Sequence, residues 1–180
     1  FGENKAFVAY LPLPYGSHTS GHGLLCINHE FTNTLFMWPN LSVLNVGSAM
    51  TAEHSAIERA AMGHSVVEVE RSGENWTVVD GPYNRRITAD STMRISGPAA
   101  GHRRLRTADD PSGRQSRGLI NPCSGGKTPW GTVLAAEENF HMYFAGESSD
   151  PIERKNHKRY GVSGSALYAW WPKHAHRFDV

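Results

Sequence analysis

One cysteine, Cys123, stands in the stretch NPCSGGKTPWGT at residues 121–132, which runs at once into VLAAEEN and its two adjacent carboxylates, Glu137 and Glu138. Ser124, Gly125, Gly126, Thr128 and Pro129 punctuate this loop so heavily that its backbone path must be specific. A thiolate and carboxylates presented from one loop-strand unit can hold a metal ion. The same residues also fit a structural cysteine beside a solvated glutamate pair. A phosphate-cradling P-loop does not fit. GGKT lacks the four-residue gap before Gly-Lys-Thr, and no helical pattern follows it.

A second concentration of ligand-type residues, GHGLLCINHEFT, occupies 21–32. Its apolar part reads as a buried strand that delivers Asn28, His29 and Glu30 to a loop. Strand alternation puts Asn28 and Glu30 on one face and His29 on the other. Asn and Glu oxygens together suit a hard cation such as Ca²⁺. They equally suit a polar strand end that satisfies loop amides. Alternation also constrains Glu137 and Glu138: one points into a site and the other away, unless a bulge turns both inward. Two inward carboxylates without a cation would repel, and one would stay protonated.

Other catalytic constellations are absent from the sequence. His18 and His22 have i, i+4 spacing among Gly, Ser and Thr, where no helix is expected, and no HExxH motif exists. The ten histidines therefore read as scattered surface side chains rather than a zinc site. No GxSxG elbow supports a serine hydrolase.

The elements that must position these residues are short. Apolar runs at 6–11, 23–27, 65–69, 76–79, 93–95, 118–120, 132–136 and 166–171 are bounded by Gly, Pro, Asn or Ser and read as strands. Residues 66–79 read as a β-hairpin with one buried and one solvated face. One short helix is expected near residues 52–62. Thr51 is its N-cap, Glu53 lies in the first turn, Gly63 is the stop, and Ala56, Ile57, Ala60 and Ala61 form a stripe that packs flat on a sheet. No internal repeat is visible. The expected class is all-β.

The chain has 180 residues and a formal net charge of +1, with Lys and Arg scattered. That distribution gives no nucleic-acid or membrane-surface footprint, and HRRLR at 102–106 reads as a solvated loop. No run of apolar residues reaches the ~20 needed to span a bilayer. Cys26 and Cys123 allow one disulfide but no framework and no CxxC zinc spacing. The chain begins on Phe1 close to a strand-like run and ends on Val180 without a polar tail, as a segment of a longer protein would.

Taken together, HGLLCINHEFTN (22–33), SGPAAGH (96–102), CSGGKTPWGT (123–132), AEENFHMYF (136–144) and KRYG (158–161) resemble the PhoX-type alkaline phosphatase family, in the family's order and along essentially the whole chain. The resemblance implies an irregular six-bladed β-propeller, of which residues 1–180 are an incomplete N-terminal segment. It implies iron (Fe³⁺) and Ca²⁺ in an axial pocket and hydrolysis of small-molecule phosphate monoesters. It also implies a periplasmic or secreted monomer. Cys123 maps onto the iron-ligand cysteine. Glu30, and Glu138 or Glu137, map onto the metal-site carboxylates, which makes Cys123 and Glu138 the catalytic candidates. Pro122 departs from the family's usual Asn before the cysteine, and Cys26 replaces a large aromatic residue. The competing expectation is a non-catalytic calcium-binding propeller that recognises a partner or polymer.

Overall fold

The computed structural model describes residues 2–162 and 164–180. β1 (Lys5–Pro12), β2 (His22–His29) and β3 (Gly63–Ser72) form an antiparallel meander. β3 has β2 on one edge. Its other edge is shared end to end by β5 (Arg85–Thr88) and β4 (Asn75–Val78). Two hairpins stand apart from this sheet: β6 (Thr92–Arg94) with β7 (Gln115–Arg117), and β8 (Pro122–Lys127) with β9 (Val133–Glu137). The chain is mostly β and antiparallel, with few helices. Among the described residues none of the three sheets closes on itself.

Six of the eight expected strands coincide with β1, β2, β3, β4, β6 and β9. Residues 118–120 are irregular. Residues 166–171 are not a strand but a turn that enters the helix α5 (Trp170–His174). A short apolar run does not distinguish helix from strand, and here Trp170 and Trp171 both insert into one core rather than alternate across a sheet. The glycine-rich start of the Cys123 segment is strand β8, not a loop, and the turn begins only after Lys127. The 66–79 hairpin forms, but without alternating faces. The first half of β3 is covered on both sides, whereas β4 is an edge strand exposed throughout.

The largest correction concerns the helix, α3 (Ala52–Ala61). Thr51 caps it as expected, accepting the His54 N–H, and His54 completes a capping box. Its apolar stripe, however, faces outward: Ala56, Ile57 and Ala60 are exposed, while Ser55 and Glu58 are buried. Glu58 is the reason. Its carboxylate accepts hydrogen bonds from Thr34 Oγ1 at 2.5 Å, Trp170 Nε1 at 2.5 Å and Trp171 Nε1 at 2.8 Å. Three donors from two distant segments compensate desolvation that an alanine stripe would never incur. The C-terminal carbonyls of α3 are met by Arg86, which donates to Ala60 and Ala61. Gly63 follows at φ +126, where a side chain would collide with the Ile87 carbonyl of β5.

Other helices were not expected. α1 (Thr34–Met37) and α2 (Val46–Ala49) are single turns. α4 (Pro151–Tyr160) is a full helix with no buried residue, so it lacks the apolar period that announces a helix. Its ends are nevertheless legible: Asp150 caps Ile152 N–H, Pro151 opens the first turn, and Gly161 closes it at φ +76.

Two cores result. The larger joins Met50, Met62, Ala89, Ile120, Tyr143, Trp170, Trp171 and Phe178, and its centre is aromatic. The smaller, Ala9, Leu24, Cys26 and Val66, lies between the sheet and the β8–β9 hairpin, with Phe7 and Val133 packed against it. Phe7 lies so close to Gly125 of β8 that a β-carbon there would meet its ring at 2.7 Å.

Two stability predictions follow from these contacts. Glu58→Ala should cost roughly 3–5 kcal/mol in urea unfolding, because it strands three buried donors, and Glu58→Gln roughly 1–3 kcal/mol. Burial, with Arg86 beside it, holds His29 down to about 4, and burial with Arg85 and Arg86 lowers His64. Between pH 4 and 6.5 the unfolded chain therefore binds protons that the folded chain does not, so stability rises with pH across that window. A urea midpoint no lower at pH 5 than at pH 7 would contradict this.

Candidate metal centre

Two antiparallel ladders and one bulge converge on the site. β2 ends with Asn28 and His29, and Glu30 follows, its N–H bonded to the Asn4 carbonyl at 3.1 Å. Strand alternation acts as expected here. Asn28 reaches β8, donating to the carbonyls of Cys123 and Ser124 at 3.2 Å each. His29 turns to the opposite side, where its ring meets Ser65 Oγ at 2.8 Å and the Gly2 carbonyl at 3.2 Å. The Asn28 amide is itself held by His64, whose Nδ1 lies 2.7 Å from Asn28 Oδ1.

β8 presents the cysteine at an irregularity. Pro122 pairs with Glu137 of β9, and regular pairing resumes only at Gly125 with Ala135, so Cys123 and Ser124 lie within a bulge. Pro122 is fully buried, and its missing N–H is no loss at this position. Cys26 and Cys123 are both free thiols.

The ligand atoms of Glu30, Cys123 and Glu138 all lie within 4.8 Å of one another. Among the described residues this is the one grouping of three or more His, Cys, Asp or Glu donors with that closeness. Glu137 does not join it. β9 ends at Glu137, whose carboxylate turns the other way and accepts the Ile120 N–H at 2.7 Å. The bulge on β8 does not alter the alternation of β9, so the two neighbouring glutamates serve opposite sides. Asn139, left-handed at φ 47, then turns the chain into a 3-10 turn at Phe140–Tyr143. The histidines likewise stay outside the cluster, but they are not all on the surface: His29 and His64 are buried, held by Ser65 and Asn28.

Two residues that drew no attention in the sequence stand directly behind these donors. Asn121 is buried at φ +50, and its carbonyl accepts the Glu138 N–H at 2.9 Å. Its Nδ2 approaches Glu30 Oε1 at 3.5 Å, and its Oδ1 accepts the Tyr143 hydroxyl at 3.0 Å. The signal available in advance was an Asn two residues before the cysteine, a residue type that tolerates the left-handed region. Tyr143, 22 residues further on, carried no local signal.

The carboxylates of the cluster disfavour the thiolate while no cation is present. Glu138, hydrogen-bonded to the thiol, does most to push Cys123 up to about 11, with partial desolvation and the charge of Glu30 adding to it. One soft sulfur donor and two hard carboxylates facing one another fit a metal ion, whose charge would favour the thiolate that the carboxylates disfavour.

A family model described as alkaline phosphatase PhoX matches residues 1–180. The chain belongs to that family. Its structure is similar to that of Pseudomonas fluorescens PhoX in complex with vanadate, a transition state analogue, with a TM-score of 0.82 and 37% sequence identity. The match covers 99% of this chain and 30% of that one, so the chain spans under a third of the solved relative's length. No curated protein matches. Among the described residues no helix is long and apolar enough to cross a membrane.

The raised thiol gives a direct check in metal-free protein. Alkylation of Cys123 by iodoacetamide at pH 8 should be at least about tenfold slower than that of free cysteine, since only the thiolate reacts. Glu138→Gln should accelerate it. An equal rate in both proteins would show that Glu138 does not govern the thiol.

Proposed function

We propose that Glu30, Cys123 and Glu138 form one corner of the metal site of a phosphomonoesterase, and that this chain is the N-terminal portion of its single catalytic domain. The observation that supports it is the convergence of one thiol and two carboxylates in a member of the alkaline phosphatase PhoX family. The donor types divide the metals. Fe³⁺ accepts a thiolate among oxygen ligands and would be held by Cys123, while Ca²⁺ takes carboxylates and would be held by Glu30 and Glu138. The open sheets fit blades of an irregular six-bladed β-propeller whose axis carries the pocket, the remaining blades lying outside these 180 residues. The protein acts as an exported, periplasmic or secreted monomer.

The residues here have three tasks. Cys123 Sγ must lose its proton to bind metal, and Glu138, already hydrogen-bonded to the thiol, is placed to relay it to solvent and remain ionised. Glu30 and Glu138 supply negative charge that holds the cations against the anionic substrate. Asn28 fixes the β8 bulge through the Cys123 and Ser124 carbonyls, so the backbone that carries the thiol is held independently of the carboxylates. When bound, the ions supply Lewis acidity: charge for the phosphoryl oxygens and activation of an oxygen nucleophile. The vanadate bound to the solved relative mimics the geometry of phosphoryl transfer, which favours a phosphate ester over another ester class here.

A calcium-only binding module would have no use for Cys123 in the cluster. Metal analysis of the full-length protein should therefore find iron and calcium. Cys123→Ser should lose most of the iron and lower kcat for a chromogenic phosphate monoester by at least about 10²-fold, the scale of removing a transition-state electrostatic contact. The isolated 180-residue segment should show no turnover. Calcium without iron, with Cys123→Ala fully active, would instead establish the binding module.

A further inference from the structure

We infer that Asn121 and Tyr143 act as a positioning pair that sets the metal affinity of the site, an inference that rests on the metal-centre reading above. Asn121 is the residue through which the elements bearing the three donors meet. Its carbonyl fixes the Glu138 backbone, its amide faces the Glu30 carboxylate, and its chain continues through Pro122 to Cys123. Its own N–H lies 3.2 Å from Met62 Sδ, inside the larger core. The left-handed backbone directs this convergence, because φ +50 turns the peptide so that carbonyl and side chain serve two different carboxylate-bearing residues.

Tyr143 holds the amide in the direction that Glu30, an acceptor only, requires. It is fully buried, and its ring is clamped 4.5 Å from Tyr168 and 4.5 Å from Trp171. Burial, with Tyr168 next to it, raises its hydroxyl, so it stays a proton donor at any working pH. A hydroxyl that donates to Asn121 Oδ1 leaves only the amide NH₂ to face Glu30. A flipped amide would set its oxygen against the carboxylate. The pair therefore orients the Glu30 carboxylate, which would hold the cation, as hydrogen bonds from behind do for metal-binding carboxylates. The contact to Glu30 is long at 3.5 Å.

The test uses full-length protein and reads metal affinity by chelator competition. Asn121→Gly keeps the left-handed backbone and deletes the amide; Tyr143→Phe keeps the ring stack and deletes only the donor. Asn121→Gly is expected to weaken metal binding about 10–100-fold and Tyr143→Phe somewhat less. The double variant should be no worse than Asn121→Gly, since the hydroxyl acts only through the amide. The thiolate-to-metal absorption band should persist in both single variants, because Cys123 stays in place. Wild-type affinity in Tyr143→Phe together with Asn121→Gly, or additive losses in the double variant, would overturn the inference. If Asn121→Gly does not fold, wild-type affinity in Tyr143→Phe alone overturns it. A wild-type protein that takes up no metal would instead overturn the metal-centre reading itself.

Discussion

A buried carboxylate organises this chain. Glu58 is fully buried on α3 and takes hydrogen bonds from Thr34 and from the adjacent indoles of Trp170 and Trp171. These donors lie 24 residues before it and 112 and 113 residues after it, so one side chain ties three separate segments of the chain together. An unpaired carboxylate in that place would be prohibitive, which makes the arrangement close to all-or-none. It also explains why α3 turns a polar face inward and leaves its alanines outside.

From this anchor the order extends to the candidate site through rigid contacts. Trp171, held by Glu58, packs on Tyr143, and Tyr143 bonds Asn121, which faces Glu30 and fixes the Glu138 amide. A second support comes from the sheet, where His64 holds Asn28 and Asn28 holds the β8 bulge. The donors thus sit at the junction of two cores, each reaching them through a buried asparagine. Asparagine suits this task because one amide both donates and accepts.

The cluster assembled in this way is electrostatically incomplete by itself. Two carboxylates press on one thiol and keep it protonated. The same concentration of carboxylates beside a thiol becomes a source of affinity once a cation is present. The neighbouring pair Glu137 and Glu138 shows how finely this is divided. One glutamate is used by the backbone of Ile120 and the other by the cluster.

The sequence alone determined the local chemistry and most of the strands. Alternating and β-branched runs located β1, β2, β3, β4, β6 and β9, and the Thr51 cap located α3 to within a residue. Period two along β2 put Asn28 and Glu30 on one face, because that pattern is a property of the backbone and not of its surroundings; that this face meets Cys123 was decided by packing. Ordered motifs pointed to the family. Tertiary structure decided everything that depends on partners distant in sequence. Which face of α3 is buried follows from two indoles more than 110 residues away, and no local period encodes them. Whether 166–171 is strand or helix depended on a core that receives both tryptophans. The choice between Glu137 and Glu138, and the roles of Asn121 and Tyr143, awaited the meeting of β8, β9 and the aromatic core. Residue type sets what a side chain can bind; only packing sets what it is brought to face.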